Sequence, residues 1–324
     1  MLEVLGSGLH TTVQDAGRLE ASSLGVPRSG ACDPLALAAA NILLGNPHDA
    51  AVLEFELIGP ELAVLEPCVV ALAGADFQAK VPEDGRRLRP GTTHLLRAGS
   101  TLSFGASRDG ARGYLALAGG VDVPLVLGSR STARVGGFGG LEGRALQEDD
   151  RVRPAHPEVL GLGGRSWPGP GPHSGIAGHL GPRTVHVVEG PHAAEFPPEA
   201  LSMLLETAWT VTPRSDRMGV RLGGPPLPPA EGPEPASLGM TWGTVQVPAG
   251  GAPIILLVDH GTVGGYRAIA VAASADRPVL GQLRAGDEVR FVRIDVTRAR
   301  RMATDAAEAL HAADSRLRMA EPMA

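Results

Sequence analysis

The sequence predicts a mainly β protein with few helices, divided into two domains. Three observations carry this. Short apolar runs recur between glycine and proline signals, the pattern of strands buried in barrels or sandwiches. The 44 Gly and 28 Pro among 324 residues set many turns. A stretch rich in Gly, Pro, Ser and His, residues 156–182, has few apolar residues and no periodicity, and reads as a linker or surface loop. The expected division is 1–155, the linker 156–182, and 183–324 ending in a helix. With 43% apolar residues the chain exceeds what one core ordinarily uses.

The clearest strand signals are residues 68–73, 113–118 and 253–258. Each is a short, nearly unbroken apolar run closed by turn residues. The clearest helix spans 33–45: Asp33 suits the N-cap, Pro34 the first turn and Gly45 the stop. A second helix is expected around 198–205. A third, 296–320, is rich in Arg, Ala and Glu and reads as a terminal helix. Aromatic residues are only 3%, so the core must rest on Val, Leu, Ala and Ile.

Composition also excludes function classes. The formal net charge is −6, which argues against nucleic acid as a partner, because phosphate binding needs a basic face. Lys80 is the sole lysine, and no glycine loop of the P-loop type precedes it. Any phosphate or carboxylate must therefore be held by Arg, by backbone N–H groups or by a partner. Cys32 and Cys68 are too few for a disulfide framework or zinc ribbon and read as buried thiols. The ten His are scattered, and no metal site is expected. Met1–Leu5 lacks a basic n-region, and no apolar run approaches 18 residues. A cytoplasmic chain without membrane contact is the expectation.

Generic catalytic patterns (HExxH, GxSxG, GxGxxG) are missing. Polar residues cluster instead in five glycine-rich turns. Residues 11–18 bring Gln14, Asp15 and Arg18 together, which suits a buried network locking a turn. Residues 25–33 lead into the first helix; their N–H groups can bind an anion, while helix capping alone explains Asp33. Residues 128–132 place Ser129, Arg130, Ser131 and Thr132 in one turn, a set that fits either a carboxylate or phosphate ligand or a structural turn. Residues 214–222 carry Arg214, Ser215, Arg217 and Arg221, for a site or an interface. Residues 259–267 follow the apolar run 253–258, so Asp259 stands at a strand end as a general base or as the group that orients one.

In this order, these stretches resemble the allophanate hydrolase subunit 2, or biotin-dependent carboxyltransferase, family, which includes the C component of bacterial 5-oxoprolinase. The likeness rests on Thr12–Asp15 with Gly17–Arg18, Gly25–Pro27, Ser29–Ala31 with Asp33, Leu53–Glu54, Tyr114–Ala116 and Leu127–Thr132. It continues through Ser215–Gly219, Arg221–Leu222, Gly243–Pro248, Asp259, Thr262, Gly264–Tyr266, Gln282 and Gly286–Asp287, and so covers residues 3 to 293. The resemblance implies two cyclophilin-like β-barrel domains. The chain departs from the family pattern at Glu20–Ala21, where Gly and an aromatic are usual. It departs also at Cys32, at Gly261 (usually Gln) and at Arg267 (usually Pro).

The resemblance further implies a subunit of an ATP-dependent amide or lactam hydrolase complex that opens 5-oxoproline to glutamate. Its partners are a sister subunit resembling a sporulation-kinase inhibitor and a lactam-utilisation-type subunit. An amide carbonyl is a poor electrophile, and phosphorylating its oxygen makes it a good one, hence ATP, bound here or at a partner. Asp259, Arg217 and Ser215 are the expected catalytic residues. Ser129, Arg130, Ser131, Thr132, Arg221, Gln246, Thr262 and Tyr266 are the expected substrate-binding ones. Two alternatives stand beside this: a non-catalytic regulator of the kinase-inhibitor-antagonist type, and a carboxyltransferase acting on urea-like substrates with a separate biotin protein. The chain has no Met-Lys biotin attachment site of its own.

Overall fold

The computed structural model describes residues 1–155, 163–168, 183–233 and 235–319. Most of the expected linker lies outside them. Its piece 163–168 packs along a strand edge, where Arg165 N donates to Thr93 Oγ1 and Trp167 N to the Gly91 carbonyl. The chain forms two compact units. One comprises Met1–Leu19, Ser29–Gly178 and Glu308–Ala324; the other comprises Glu20–Arg28 and His179–Ala307.

The first unit is built from two antiparallel sheets. The six-stranded one runs Arg151–Val152, Leu2–Gly6, Glu61–Val64, Thr101–Ser103, Lys80–Val81, Arg86–Arg87. The five-stranded one runs Thr11–Gln14, Val52–Glu56, Arg112–Leu117, Cys68–Gly74, Thr92–Leu96. The pleat sorts the side chains. Leu53, Phe55, Val70, Leu72, Leu115 and Leu117 enter a core shared with Leu2, Leu62 and Leu102 of the other sheet. Their neighbours Val52, Val69, Ala71, Tyr114 and Ala116 face the opposite way, onto the helix α1 (Pro34–Leu43). Both faces of these strands are buried, which is why they read as continuous apolar runs rather than alternating ones. Each large apolar side chain so buried contributes about 1.5–3 kcal/mol. Gly113 is required by close approach: a Cβ there would lie 2.4 Å from the Phe55 ring, which itself packs on Phe77 and Phe104.

The α1 signals hold in detail. Asp33 Oδ1 accepts from Ala36 N at 2.9 Å, Pro34 occupies the first turn, and Gly45 follows with φ of 67°. Alanines at 36, 38, 39 and 40 let the helix sit close to the sheet.

The second unit is a closed seven-stranded barrel in the order Arg183–Glu189, Arg267–Ala272, Thr244–Val247, Ile254–Leu256, Gly219–Gly223, Trp209–Val211, Glu288–Arg293. The last strand closes on the first through a parallel pairing, Val185 opposite Phe291. Three helices complete the described residues: α2 (Pro198–Glu206), α3 (Arg277–Gln282) and α4 (Val296–Met319). α2 and α4 fall where the sequence places them, with Ala320 outside the described residues. α3, six residues long, is too short for periodicity to reveal. The chain is thus mainly β with few helices. Cys32 and Cys68 are buried thiols rather than disulfide partners, and burial pushes the Cys68 thiol up to about 11. No helix among the described residues is long and apolar enough to cross a membrane.

Candidate functional site

Strand register divides the candidate residues of the barrel between its two ends. Gly219 lies opposite Leu256, and Val245 opposite Ile255. Thr244 lies opposite Val271. Gly243 N donates to the Leu256 carbonyl and Ala272 N to the Gly243 carbonyl. One end therefore carries the 212–218 hairpin tip, Trp242, Asp259 and the segment after Ala272. The other carries Val247–Pro248, Pro253 and Tyr266–Arg267.

At the first end, Arg217 and Asp259 form a buried two-point pair. Arg217 Nε donates to Asp259 Oδ2 at 2.8 Å, and Nη2 to Oδ1 at 3.4 Å. Each residue is 5% exposed, and Asp259 N donates to the Arg217 carbonyl, so both backbone and side chains fix the pair. The sequence builds this locally. Asp216 Oδ1 accepts from Met218 N and Gly219 N, turning the chain back into its strand. Ser215 Oγ accepts from Arg221 N at 3.0 Å and donates to the Arg221 carbonyl at 3.4 Å, bracing the hairpin. Arg221 itself is exposed. His260, next to Asp259, is buried, and burial lowers its pKa against the opposing pull of the Gly261 carbonyl and Asp259.

At the second end, Gln246 Nε2 donates to the Tyr266 carbonyl at 3.2 Å and to the Met240 sulfur at 3.3 Å. The Tyr266 ring is half exposed and lines a cavity of about 490 Å³ with Phe196, Leu227, Pro248 and Arg267. Arg267 donates Nε to Glu195 at 2.7 Å and Nη2 to the carbonyls of Glu231, Gly232 and Pro233, pinning that wall. Thr262 lies in the segment joining the two ends, where its carbonyl accepts from Met240 N.

The remaining candidates belong to the first unit, where the structure joins two motifs more than about a hundred residues apart in sequence. Asp15 accepts from Ser129 Oγ at 2.6 Å, Ser131 Oγ at 2.5 Å, Arg130 N at 2.5 Å and Gly17 N at 2.8 Å. Thr132 Oγ1 donates to the Val13 carbonyl. Arg18, 1% exposed, donates to the carbonyls of Ser131 and Val126 and lies over Phe138. Ser129, Ser131 and Thr132 are fully buried, and their hydroxyls serve this network. The N–H groups of residues 30–33 are also committed: Gly30 to Gln14, Ala31 to the Asp15 carbonyl, Cys32 to Glu54 and Asp33 to Tyr114.

Sequence reasoning did not single out Trp242 and Arg277, and it took residues 25–33 for their N–H groups rather than for the Arg28 side chain. Arg28 and Arg277 both stack on Trp242. The one signal available was a basic residue in an already suspect loop. Among the described residues no group of three or more His, Cys, Asp or Glu is placed to hold a metal. His186 is occupied by Asp276, and His192 Nδ1 accepts from Ala268 N.

Residues 24–293, which include the closed barrel, match the family model for the carboxyltransferase domain, subdomain A and B, and the chain belongs to that family. Among its relatives, the C component of 5-oxoprolinase from Escherichia coli (strain K12) is 36% identical over 92% of this chain and 93% of its own length. Urea amidolyase of Lachancea kluyveri is 33% identical over 93% of this chain, which spans only 17% of that protein. The crystal structure of the Kluyveromyces lactis urea carboxylase superposes with a TM-score of 0.85 at 29% identity, covering 95% of this chain and 29% of that one.

Proposed function

We propose that this chain is a subunit of an ATP-dependent amide hydrolase complex that opens 5-oxoproline to glutamate. The observation that carries the reading is the reciprocal match to the C component of 5-oxoprolinase, 92% of one chain and 93% of the other. The word subunit in that relative's name supports the existence of partners, and we take them to be a sister subunit of the kinase-inhibitor type and a lactam-utilisation-type subunit.

The nucleotide is assigned to a partner. The described residues do not fit one: Lys80 stands exposed on a two-residue strand, and the N–H groups of the 30–33 loop are spent within the fold. No step through ATP is assigned to this chain. Its own residues act at the barrel mouth that bears Arg217 and Asp259. Arg217 supplies a fixed positive charge where the carbonyl oxygen gains negative charge, and a donor held before the reaction loses nothing to reorganisation. Asp259 holds the guanidinium plane and accepts a hydrogen bond from the attacking water. Ser215 and Arg221 brace the hairpin that presents Arg217.

The test is glutamate formation from 5-oxoproline and ATP by the chain purified with its two partners. Asp259→Asn and Arg217→Ala should each lower kcat/KM by roughly 100-fold. Turnover that survives both substitutions unchanged removes these residues from the site, and an inactive wild-type trio removes the reading. Carboxyl transfer to a urea-like substrate from a separate biotin protein is a second reading, favoured by the 0.85 superposition on urea carboxylase. It requires bicarbonate and carboxybiotin for turnover, which the first does not.

A further inference from the structure

The cavity of about 490 Å³ at the second barrel end takes no part in the proposed reaction. Its volume falls within the range of about 300–1,000 Å³ that small-molecule sites occupy. The walls are mostly apolar and include the buried Phe196, Leu227 and Val247 together with Pro226, Pro228 and Pro229. They are held in place before any ligand arrives. Proline fixes the backbone φ along the 226–229 segment. Leu227 N donates to the Gly251 carbonyl at 3.0 Å, and Gly251 N to the Pro248 carbonyl at 2.9 Å, which joins that segment to the 248–251 turn. The approach is close: a Cβ on Gly251 would lie 2.8 Å from the Leu227 carbonyl oxygen. Arg267 ties down the continuation of the segment through the carbonyls of Glu231, Gly232 and Pro233. A wall ordered in advance loses little freedom when a ligand binds.

Tyr266 and Arg267 supply the polar side chains of the lining. The Arg267 charge is already met by Glu195 at 2.7 Å, so among the described residues no unpaired charge lines the cavity. An ion entering it would lose its water without gaining a counter-charge, a cost that a neutral molecule avoids. The Tyr266 ring is half exposed, and its hydroxyl has no hydrogen-bond partner among the described residues. The faces on offer are flat: one phenol ring and several pyrrolidine rings. An aromatic ligand can stack offset on the phenol, which adds to the gain from burying its area. Its polar substituent can meet the idle hydroxyl, which both donates and accepts. We infer that this cavity is a binding site for a neutral aromatic small molecule with a hydrogen-bonding substituent. It is a second site, at the barrel end away from Arg217 and Asp259, and does not depend on the proposed reaction.

The experiment uses the full chain alone, without partners or nucleotide. It reads heat of binding and, by NMR, saturation transfer from protein to ligand ring protons. The probes are benzamide, benzoate (the same ring carrying a charge) and cyclohexanecarboxamide (the same amide on a puckered, non-aromatic ring). Benzamide should bind saturably with a Kd of roughly millimolar or tighter. Benzoate should bind about tenfold more weakly or not at all, and cyclohexanecarboxamide about threefold to tenfold more weakly. Gly250 lines the cavity, and a Cβ there meets nothing within 4 Å, so Gly250→Leu can fill space without a clash. It should abolish benzamide binding. Tyr266→Ala should weaken binding about tenfold, and Tyr266→Phe, which keeps the ring, about threefold. Thermal melts identify any variant that fails to fold, and the half-exposed Tyr266 keeps the test open if Gly250→Leu does not fold. Absence of saturable benzamide binding, benzoate binding as tight as benzamide, or wild-type affinity in Tyr266→Ala overturns the site. Cyclohexanecarboxamide binding equal to that of benzamide overturns the aromatic assignment. Benzamide bound at this cavity by a chain whose assembled trio is inactive overturns the proposed function and leaves the site standing.

Discussion

The Asp15 carboxylate shows how little a residue's type says about whom it serves. Residues 11–18 read from sequence as a turn-locking network and residues 128–132 as a ligand loop or a structural turn. The structure makes them one object, because two hydroxyls and two backbone N–H groups converge on Asp15. Partners 114 residues apart carry no local signal, so chemistry visible in each motif could not show its address. The network is buried, so removing its centre strands several donors, each costing about 1–3 kcal/mol. Asp15→Ala should therefore destabilise the chain by about 3–5 kcal/mol, whereas Ser131→Ala, which removes one donor to the carboxylate and the acceptor of the Asp15 N–H, should cost about 1–3 kcal/mol. Urea denaturation measures both. Equal midpoints for Asp15→Ala and wild type would show that the network holds nothing together. By contrast, the Arg217–Asp259 pair was legible in part: both residues sit in suspect glycine-rich turns, though their 42-residue separation concealed that they meet.

At the scale of elements, capping chemistry was readable and docking was not. α1 announces itself through Asp33, Pro34 and Gly45, all local signals. α4 announces its length but not its attachment. Of its 24 residues only Ala313, Asp314 and Leu317 are buried, and its C-terminal part belongs to the first unit although the sequence divides the chain near 183. There Leu317 joins the cluster around α1. Asp314 lies 3.2 Å from His48 Nε2 and accepts from Arg318 Nε at 2.9 Å. Arg165 donates to the carbonyls of Leu43 and Leu317. Burial pushes the Asp314 carboxyl up, but the Arg318 and His48 hydrogen bonds outweigh it and hold it below the usual range. A carboxylate with a depressed folded pKa stabilises fully above its unfolded value of about 3.9 and loses that contribution as pH falls through the folded value. The last turns of α4 should thus loosen below about pH 4, before the barrel does. Amide exchange at 308–319 as a function of pH checks this, and Asp314→Asn should show the loosened state already at pH 7. Exchange in that helix independent of both pH and the substitution would show that Leu317 and Arg165 suffice to hold it.

For the molecule as a whole, strand content was legible because buried strands leave continuous apolar runs, but barrel closure was not. Closure depends on pairing Arg183–Glu189 with Glu288–Arg293, about a hundred residues on, and nothing in either strand names the other. Closure has a functional consequence. It fixes two mouths, and it parts candidate residues that the sequence grouped together: Arg217 and Asp259 at one, Gln246, Tyr266 and the 490 Å³ cavity at the other. With about 3.3 Å per strand residue, four-residue Thr244–Val247 alone separates the mouths by on the order of 10 Å. Sites that far apart, sharing no partner, contribute additively within about 0.3–0.5 kcal/mol. If the chemistry belongs to the Arg217 mouth and the Tyr266 cavity serves a separate binding event, the penalties in kcat/KM of Arg217→Ala and Tyr266→Ala should multiply in the double variant of the assembled complex. Tyr266→Ala alone should act mainly on assembly or KM, because its half-exposed ring lines the cavity at the second mouth. A double variant no worse than Arg217→Ala alone would mean that both residues act on one bound molecule. That molecule would have to span the barrel, and the division of labour between the mouths would be wrong.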